Sequence, residues 1–133
     1  MLALARAAHL AVRSLERSLA DLGLTAAEID ALACFGDRDR RAVRELVAGT
    51  GQRRSTLTGI LDRLERRGLA ARQIDPSDRR SFLVVLTPGG RDAAARCVAA
   101  VTALDAAIAE AAGASSLPGL AAVVAAVETV AAE

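Results

Sequence analysis

The chain has 133 residues, a formal net charge of +1 and 53% hydrophobic residues, with two Phe, no Tyr and no Trp. That length suits one domain with a modest core, and no apolar run reaches the roughly 18 residues of a membrane span. Two cysteines, Cys34 and Cys97, build no disulfide framework and the lone His9 builds no metal site, so neither a metal nor another cofactor is expected.

The N-terminal stretch is apolar, but Arg6 and His9 interrupt it, and Arg13, Glu16 and Arg17 follow where a cleavage site would stand. No cleavable leader is expected, and the cytoplasm is the expected location. Leu15, Leu19 and Leu22 recur at helical spacing and predict a first amphipathic helix over residues 2–21, ending near Gly23. Thr25 and Glu28 then form a capping box that opens a second helix, with Ile29, Leu32 and Phe35 on its inner side and a stop at Gly36-Asp37. Residues 38–41 are expected as a charged connection. A short helix follows through Ala42, Val43, Leu46 and Val47, with Asp39 as its best available cap, and ends at Gly49-Thr50-Gly51.

The next helix is expected over residues 54–67, closed by Gly68 as a left-handed cap. Beyond it the period changes. Residues 69–74 and 82–86 are β-prone runs around the polar loop 75–81, a hairpin with Arg79 and Arg80 at its tip. Thr87-Pro88 opens a long helix to about Ala112, with Val98, Val101, Leu104 and Ile108 at intervals of three and four. Gly113 to Ser116 breaks it before a final apolar segment. Ala supplies 32 of the residues, so the core is thin, and the long terminal helices are expected to complete their burial against a second copy of the chain.

Helix, short turn, helix and two-stranded hairpin is the order of a winged helix-turn-helix. The fold class expected is mainly α with a small β-hairpin wing, flanked by N- and C-terminal dimerisation helices. Charge supports it: between Arg38 and Arg80, twelve Arg stand against six acids, net +6, while the remainder carries five Arg and ten acids, net −5. A basic middle between acidic flanks is the footprint of a module that faces double-stranded DNA. On the helix over 54–67, Leu57, Ile60, Leu61 and Leu64 form the inner face, while Ser55, Gly59, Asp62 and Arg66 lie opposite. Gln52, Arg53, Arg54 and Thr58 project from its start, where Arg suits guanine, Gln suits adenine and Thr suits a thymine methyl or a phosphate.

These residues, in this order, resemble the MarR family of regulators. The resemblance is carried by Leu24-Thr25, by Ser55-Thr56-Leu57-Thr58, and by the run from Leu61-Asp62-Arg63-Leu64 through Glu65-Arg66-Arg67-Gly68-Leu69. Arg72, Asp75-Pro76, Asp78-Arg79-Arg80-Ser81 and Leu86-Thr87-Pro88-Gly89-Gly90 continue it. It implies one domain over 1–133, with 24–87 as the DNA-binding module and 1–23 and 88–133 as dimerisation helices. It further implies a homodimeric repressor of a pseudopalindromic operator, released by a small-molecule effector. The DNA-binding residues are then Gln52, Arg53, Arg54, Ser55, Thr56, Thr58, Arg63, Arg79 and Arg80, with Asp62 and Asp78 supporting the wing. Either wing arginine fits the minor groove, and Arg80 alternatively pairs with Asp62. Gly59 departs from the family, standing where a larger residue is usual.

Two other readings stay open at this stage: a winged-helix module that binds a protein partner, and a thiol-based redox sensor using Cys34. Cys34 is read most simply as a small buried hydrophobe. An enzyme is not expected, for the chain has no Gly-rich phosphate loop, no His-based nucleophile system and no metal cluster.

Overall fold

The computed structural model describes residues 2–113 and 117–131. Residues up to Val101 form one compact unit. It opens with α1 (Leu2–Ser18) and a 3₁₀ turn (Ala20–Leu22) that closes at Gly23. The capping box predicted at α2 (Ala26–Ala33) is present: the Glu28 amide donates to Thr25 Oγ1 at 3.3 Å, and the Thr25 amide donates to Glu28 Oε2 at 2.9 Å. Ile29, Leu32 and Phe35 are buried, as their spacing requires.

The charged connection is not a plain loop. Arg40–Ala42 forms β1, which pairs antiparallel with β3 (Asp78–Leu86), so the sheet has three strands in the order β1-β3-β2, with β2 at Ala70–Asp75. The helix that follows, α3 (Val43–Thr50), is capped differently from expectation. The Ala42 amide donates to Glu45 Oε2 at 2.7 Å, half of a capping box, while Asp39 lends its carbonyl to the Leu86 amide and its carboxylate to Arg91. α3 ends at Gly51, whose φ of +63° is a conformation that favours glycine. After two intervening residues α4 begins (Arg54–Arg66).

The core sits where α2, α3, α4, the sheet and the start of α5 (Pro88–Ala112) meet. Leu57, Ile60, Leu61 and Leu64 of α4 are all buried there, beside Leu46, Val84 and Leu86. Burying a side chain of this size contributes about 1.5–3 kcal/mol, which fixes the rotation of α4 and turns Ser55, Asp62 and Arg66 outward. The seam of α5 is built from smaller groups than its Val and Leu spacing predicts. Gly90, Ala93, Ala94 and Cys97 are buried, whereas Val98, Val101 and Leu104 are half-buried and Ile108 is exposed.

Residues 102–133 form a second unit, which contains the end of α5 and α6 (Leu117–Ala131). Val123, Val124, Val127 and Val130 are exposed on α6. The break expected over Gly113–Ser116 lies beyond Gly113 outside the described residues.

α5 starts as its sequence predicts, with the Gly90 amide donating to Thr87 Oγ1 at 3.0 Å, and Thr87 Oγ1 donating to the Gly68 carbonyl at 2.6 Å. This pulls the helix start against β2 so closely that a Cβ at residue 90 would lie 1.7 Å from the Leu69 carbonyl oxygen. That oxygen is itself held by the Thr87 amide. Gly90→Ala is therefore expected to cost about 2–3 kcal/mol by overpacking, whereas Gly89→Ala, whose Cβ meets its nearest neighbours at 4.0 Å, stays near neutral. Urea unfolding of both variants checks the contrast.

Candidate nucleic-acid interface

The helix-turn-helix is α3, the turn 51–53 and α4. At ~100° per residue, the buried seam of α4 leaves one flank, Arg63 and Arg67, toward α2, and the other, Thr58, Asp62 and Glu65, toward β2. Both flanks are tied down by ion pairs. Arg63 Nε lies 3.0 Å from Glu28 Oε1, and Arg67 Nη1 lies 3.5 Å from Glu28 Oε2. Arg67 also donates to the Gly23 carbonyl at 3.0 Å and to the Leu22 carbonyl, so it holds the link between α1 and α2. Glu28 is only 2% exposed. Burial pushes its carboxyl up, but hydrogen bonds from the Thr25 amide and Arg63 outweigh this and leave it below its ordinary 4.5.

On the opposite flank Arg72 of β2 gathers three groups of α4. Its guanidinium pairs with Asp62 at 2.8 Å and with Glu65, and donates to the Thr58 carbonyl at 3.3 Å, while its amide donates to Glu65 Oε1 at 2.8 Å. The wing is thus bolted to α4 through Arg72. Of the two alternatives for Arg80, pairing with Asp62 is not the one seen: Asp62 pairs with Arg72 of β2.

The wing turn is tighter than the loop 75–81 predicted from sequence. Asp75 Oδ1 accepts from the Ser77 amide at 2.9 Å and from Ser77 Oγ at 2.6 Å, and these hydrogen bonds hold its carboxyl below the usual range. Asp75 pairs across with Asp78 while Ile74 pairs with Phe82, so Arg79, Arg80 and Ser81 bulge from the ladder. Asp78 supports that bulge by accepting from the Arg80 amide at 3.1 Å.

Of the other predicted residues, Arg53, Arg54, Ser55, Thr56 and Thr58 are exposed around the first turn of α4. No side chain caps that turn and it holds no acidic residue, so its amides are available to an anion. Thr58 donates its hydroxyl to the Arg54 carbonyl at 2.9 Å. Two expectations move. Arg63 is engaged with Glu28 rather than free, and Gln52 is half-buried, lining a cavity with Leu15, Ile29 and Asp30 instead of projecting with the arginines.

Cys34 packs against α3 so closely that a Cβ at Gly49 would lie 3.0 Å from its sulfur. Burial and then Asp30 push its thiol up, against the pull of Arg41. A sensing cysteine requires the opposite shift, so the geometry favours packing. Cys97 is fully buried and is pushed up to about 11.

Taken together, the twelve arginines from Arg38 to Arg80 divide sharply. Arg38, Arg41, Arg63, Arg67 and Arg72 are ion-paired. Arg40, Arg44, Arg53, Arg54, Arg66, Arg79 and Arg80 have no ion-pair partner among the described residues. Arg40 and Arg44 had not been singled out from sequence. They sit on β1 and α3, whose helical start hid the strand before it.

A family model described as the MarR family matches residues 22–81. Over 95% of this chain and 89% of the other, the structure resembles that of the transcriptional repressor CouR bound to a 23-mer DNA duplex, with 30% identity and a TM-score of 0.76. The chain belongs to the MarR family. Its three-stranded wing and helix order are those of MarR winged-helix structures. BpsR of Bordetella bronchiseptica, a protein whose DNA binding is regulated by 6-hydroxynicotinic acid, is 26% identical over 94% of this chain and 95% of its own, with a TM-score of 0.76. The HTH-type transcriptional repressor NicR of Pseudomonas putida is 32% identical over 75 residues, 56% of this chain. The match spans 48% of that repressor's length.

Two outcomes follow for this MarR-family helix. Glu28 has a depressed carboxyl pKa, so its stabilisation is full above 4.5 and is lost as pH falls through the folded value. Glu28→Gln is expected to lower unfolding free energy by about 1–3 kcal/mol near neutrality, and the gap to the parent closes as the pH falls below 4.5. Denaturant unfolding as a function of pH reads both. Gly59 has the reverse sign. A Cβ there would meet only the Arg63 guanidinium, at 3.9 Å, so Gly59→Ala is expected to raise stability by up to about 1 kcal/mol through helix propensity, read as a higher melting temperature.

Proposed function

We propose that this chain is a cytoplasmic homodimeric repressor that binds a pseudopalindromic operator and is released by a small molecule. The observation that carries the reading is the division of the arginines. Ion pairs consume the arginines that hold α3 and α4 in place, and the unpaired remainder falls at the start of α4, on its outer face and at the wing bulge, with Arg40 on β1 and Arg44 on α3 beside them. A helix that enters the major groove by its N-terminal end meets base edges with its first turn, and its uncapped amides suit a phosphate. Arg53 and Arg54, with Ser55, Thr56 and Thr58, take that role; Arg79 and Arg80 take the minor groove or the phosphates beside it. Arg40, Arg44 and Arg66 add phosphate contacts.

Dimerisation is supported by apolar side chains that the single chain leaves exposed: Leu4, Leu10 and Val12 on α1, and the valine stripe of α6. Two-fold symmetry then places the half-sites about one helical turn apart. Relief of repression by a ligand follows BpsR, whose regulator is a carboxylic acid. The cavity beside Gln52 is the effector site in this reading.

Selection of bound duplexes from a random-sequence pool, followed by gel shift against salt, tests the proposal. A recovered palindromic motif and steeply salt-dependent binding are expected, and failure to enrich any duplex overturns the reading. Replacing both Arg79 and Arg80 with Ala should lower the slope of log affinity against log salt by about 2. Arg63→Ala should leave the slope unchanged and lower the melting temperature instead.

A further inference from the structure

The cavity between α1, α2 and Gln52 has a volume of about 450 Å³, within the roughly 300–1,000 Å³ of small-molecule sites. Val12, Leu15, Ala27 and Ile29 supply apolar walls, and Asp30 and Gln52 supply the polar groups. Asp30 is the one charged side chain among the described lining residues. Its carboxylate makes no hydrogen bond or ion pair among the described residues, unlike Glu28 two positions earlier on the same helix. Asp30 is exposed on its outer side; partial desolvation against the cavity wall pushes its carboxyl up, and no neighbouring cation offsets the effect. The adjoining rim is also acidic, for Glu16 Oε1 accepts from the Ala26 amide at 3.2 Å.

A carboxylic acid in this cavity would set its charge against Asp30 at the cavity mouth, a like-charge contact with no guanidinium among the lining residues to receive it. An ammonium group there would find an unpaired counter-ion, with the Gln52 amide as a second partner and apolar walls for its body. We propose that the cavity takes a small organic cation, an ammonium group on an apolar body, with Asp30 as its counter-ion. This deepens the effector reading above and rests on it. Gln52 directly precedes Arg53 and Arg54, so an occupant touches the residue that leads into the first turn of α4.

Isothermal titration of the full chain at neutral pH with three probes of like shape, phenethylamine, phenethyl alcohol and phenylacetate, tests the charge assignment. The amine is expected to bind at least about tenfold more tightly than the acid, with the alcohol between them. Asp30→Asn should bring the amine down to the level of the alcohol and leave the alcohol unchanged. Ala27→Phe, which fills the cavity, should abolish binding of all three. Acid binding equal to or tighter than amine binding overturns the proposal, as does an amine preference that survives Asp30→Asn or binding that survives Ala27→Phe. Acid or alcohol binding alone, lost in Ala27→Phe, overturns the cation while leaving an effector cavity in place. Binding of none of the three overturns the cation and withdraws support from the effector cavity, whereas operator binding is read separately by gel shift.

Discussion

Glu28 is a carboxylate with almost no contact with water, and a charge so placed is tolerated only when its oxygens are fully engaged. Here they are engaged by three groups from two parts of the fold: the Thr25 amide at the start of α2, and the guanidiniums of Arg63 on α4 and Arg67 at its C-cap. The same Arg67 reaches the Leu22 and Gly23 carbonyls. One buried acid therefore sets the start of α2, the direction of the chain arriving from α1 and the rotation of α4. The leucine seam of α4 specifies which face is inner, but apolar contact alone is non-directional. The ion pairs on its two flanks, Glu28 on one side and Arg72 on the other, remove the remaining freedom to roll.

That arrangement also decides what charge is left over. Glu45 is engaged by Arg38 and Arg41, Asp62 and Glu65 by Arg72, and Asp39 by Arg91. Asp75 and Asp78 are turned back onto the wing's own amides. All six acids of the basic segment are thus occupied locally, so the net positive charge is expressed by the arginines that lie outside these contacts. A sum over sequence shows an excess of cations; only the pairing shows where the excess is presented.

Much of this was legible in the chain because it is written in short-range chemistry. The Thr25–Glu28 box, the Thr87-Pro88 start of α5, the glycine at residue 51 and the inner face of α4 each follow from spacings of four residues or fewer. What was missed depends on distant partners. β1 is three residues with two arginines, and only β3, some forty residues on, makes it a strand. The hairpin turn looked longer because Asp78, Arg79 and Arg80 have low strand propensity, yet the Asp75–Ser77 hydrogen bonds close it early. Arg63 and Gln52 read as DNA contacts since both lie on or beside a basic helix. Glu28, 35 residues away, pairs with the first, and the second lines the cavity against α1.

The distribution of restraints along α4 is uneven in a way that matters for regulation. From Thr58 onward the helix is held by Arg72, by Glu28 and by three buried aliphatic side chains, Ile60, Leu61 and Leu64. Its first turn has no side-chain cap, no acid to complement the helix dipole and two unpaired arginines. A first turn so arranged is suboptimal for the isolated protein, since like charges at a helix N-terminus oppose the dipole. It becomes favourable once an anion arrives, because the same amides and guanidiniums then meet a phosphate or a base edge. The least restrained end of α4 is therefore the end that the proposed reading turns toward DNA, and Gln52, which precedes it, lines the cavity. A ligand there need not shift the whole helix against its ion-paired flanks; repositioning the residues that lead into the first turn is sufficient to change what the arginines reach.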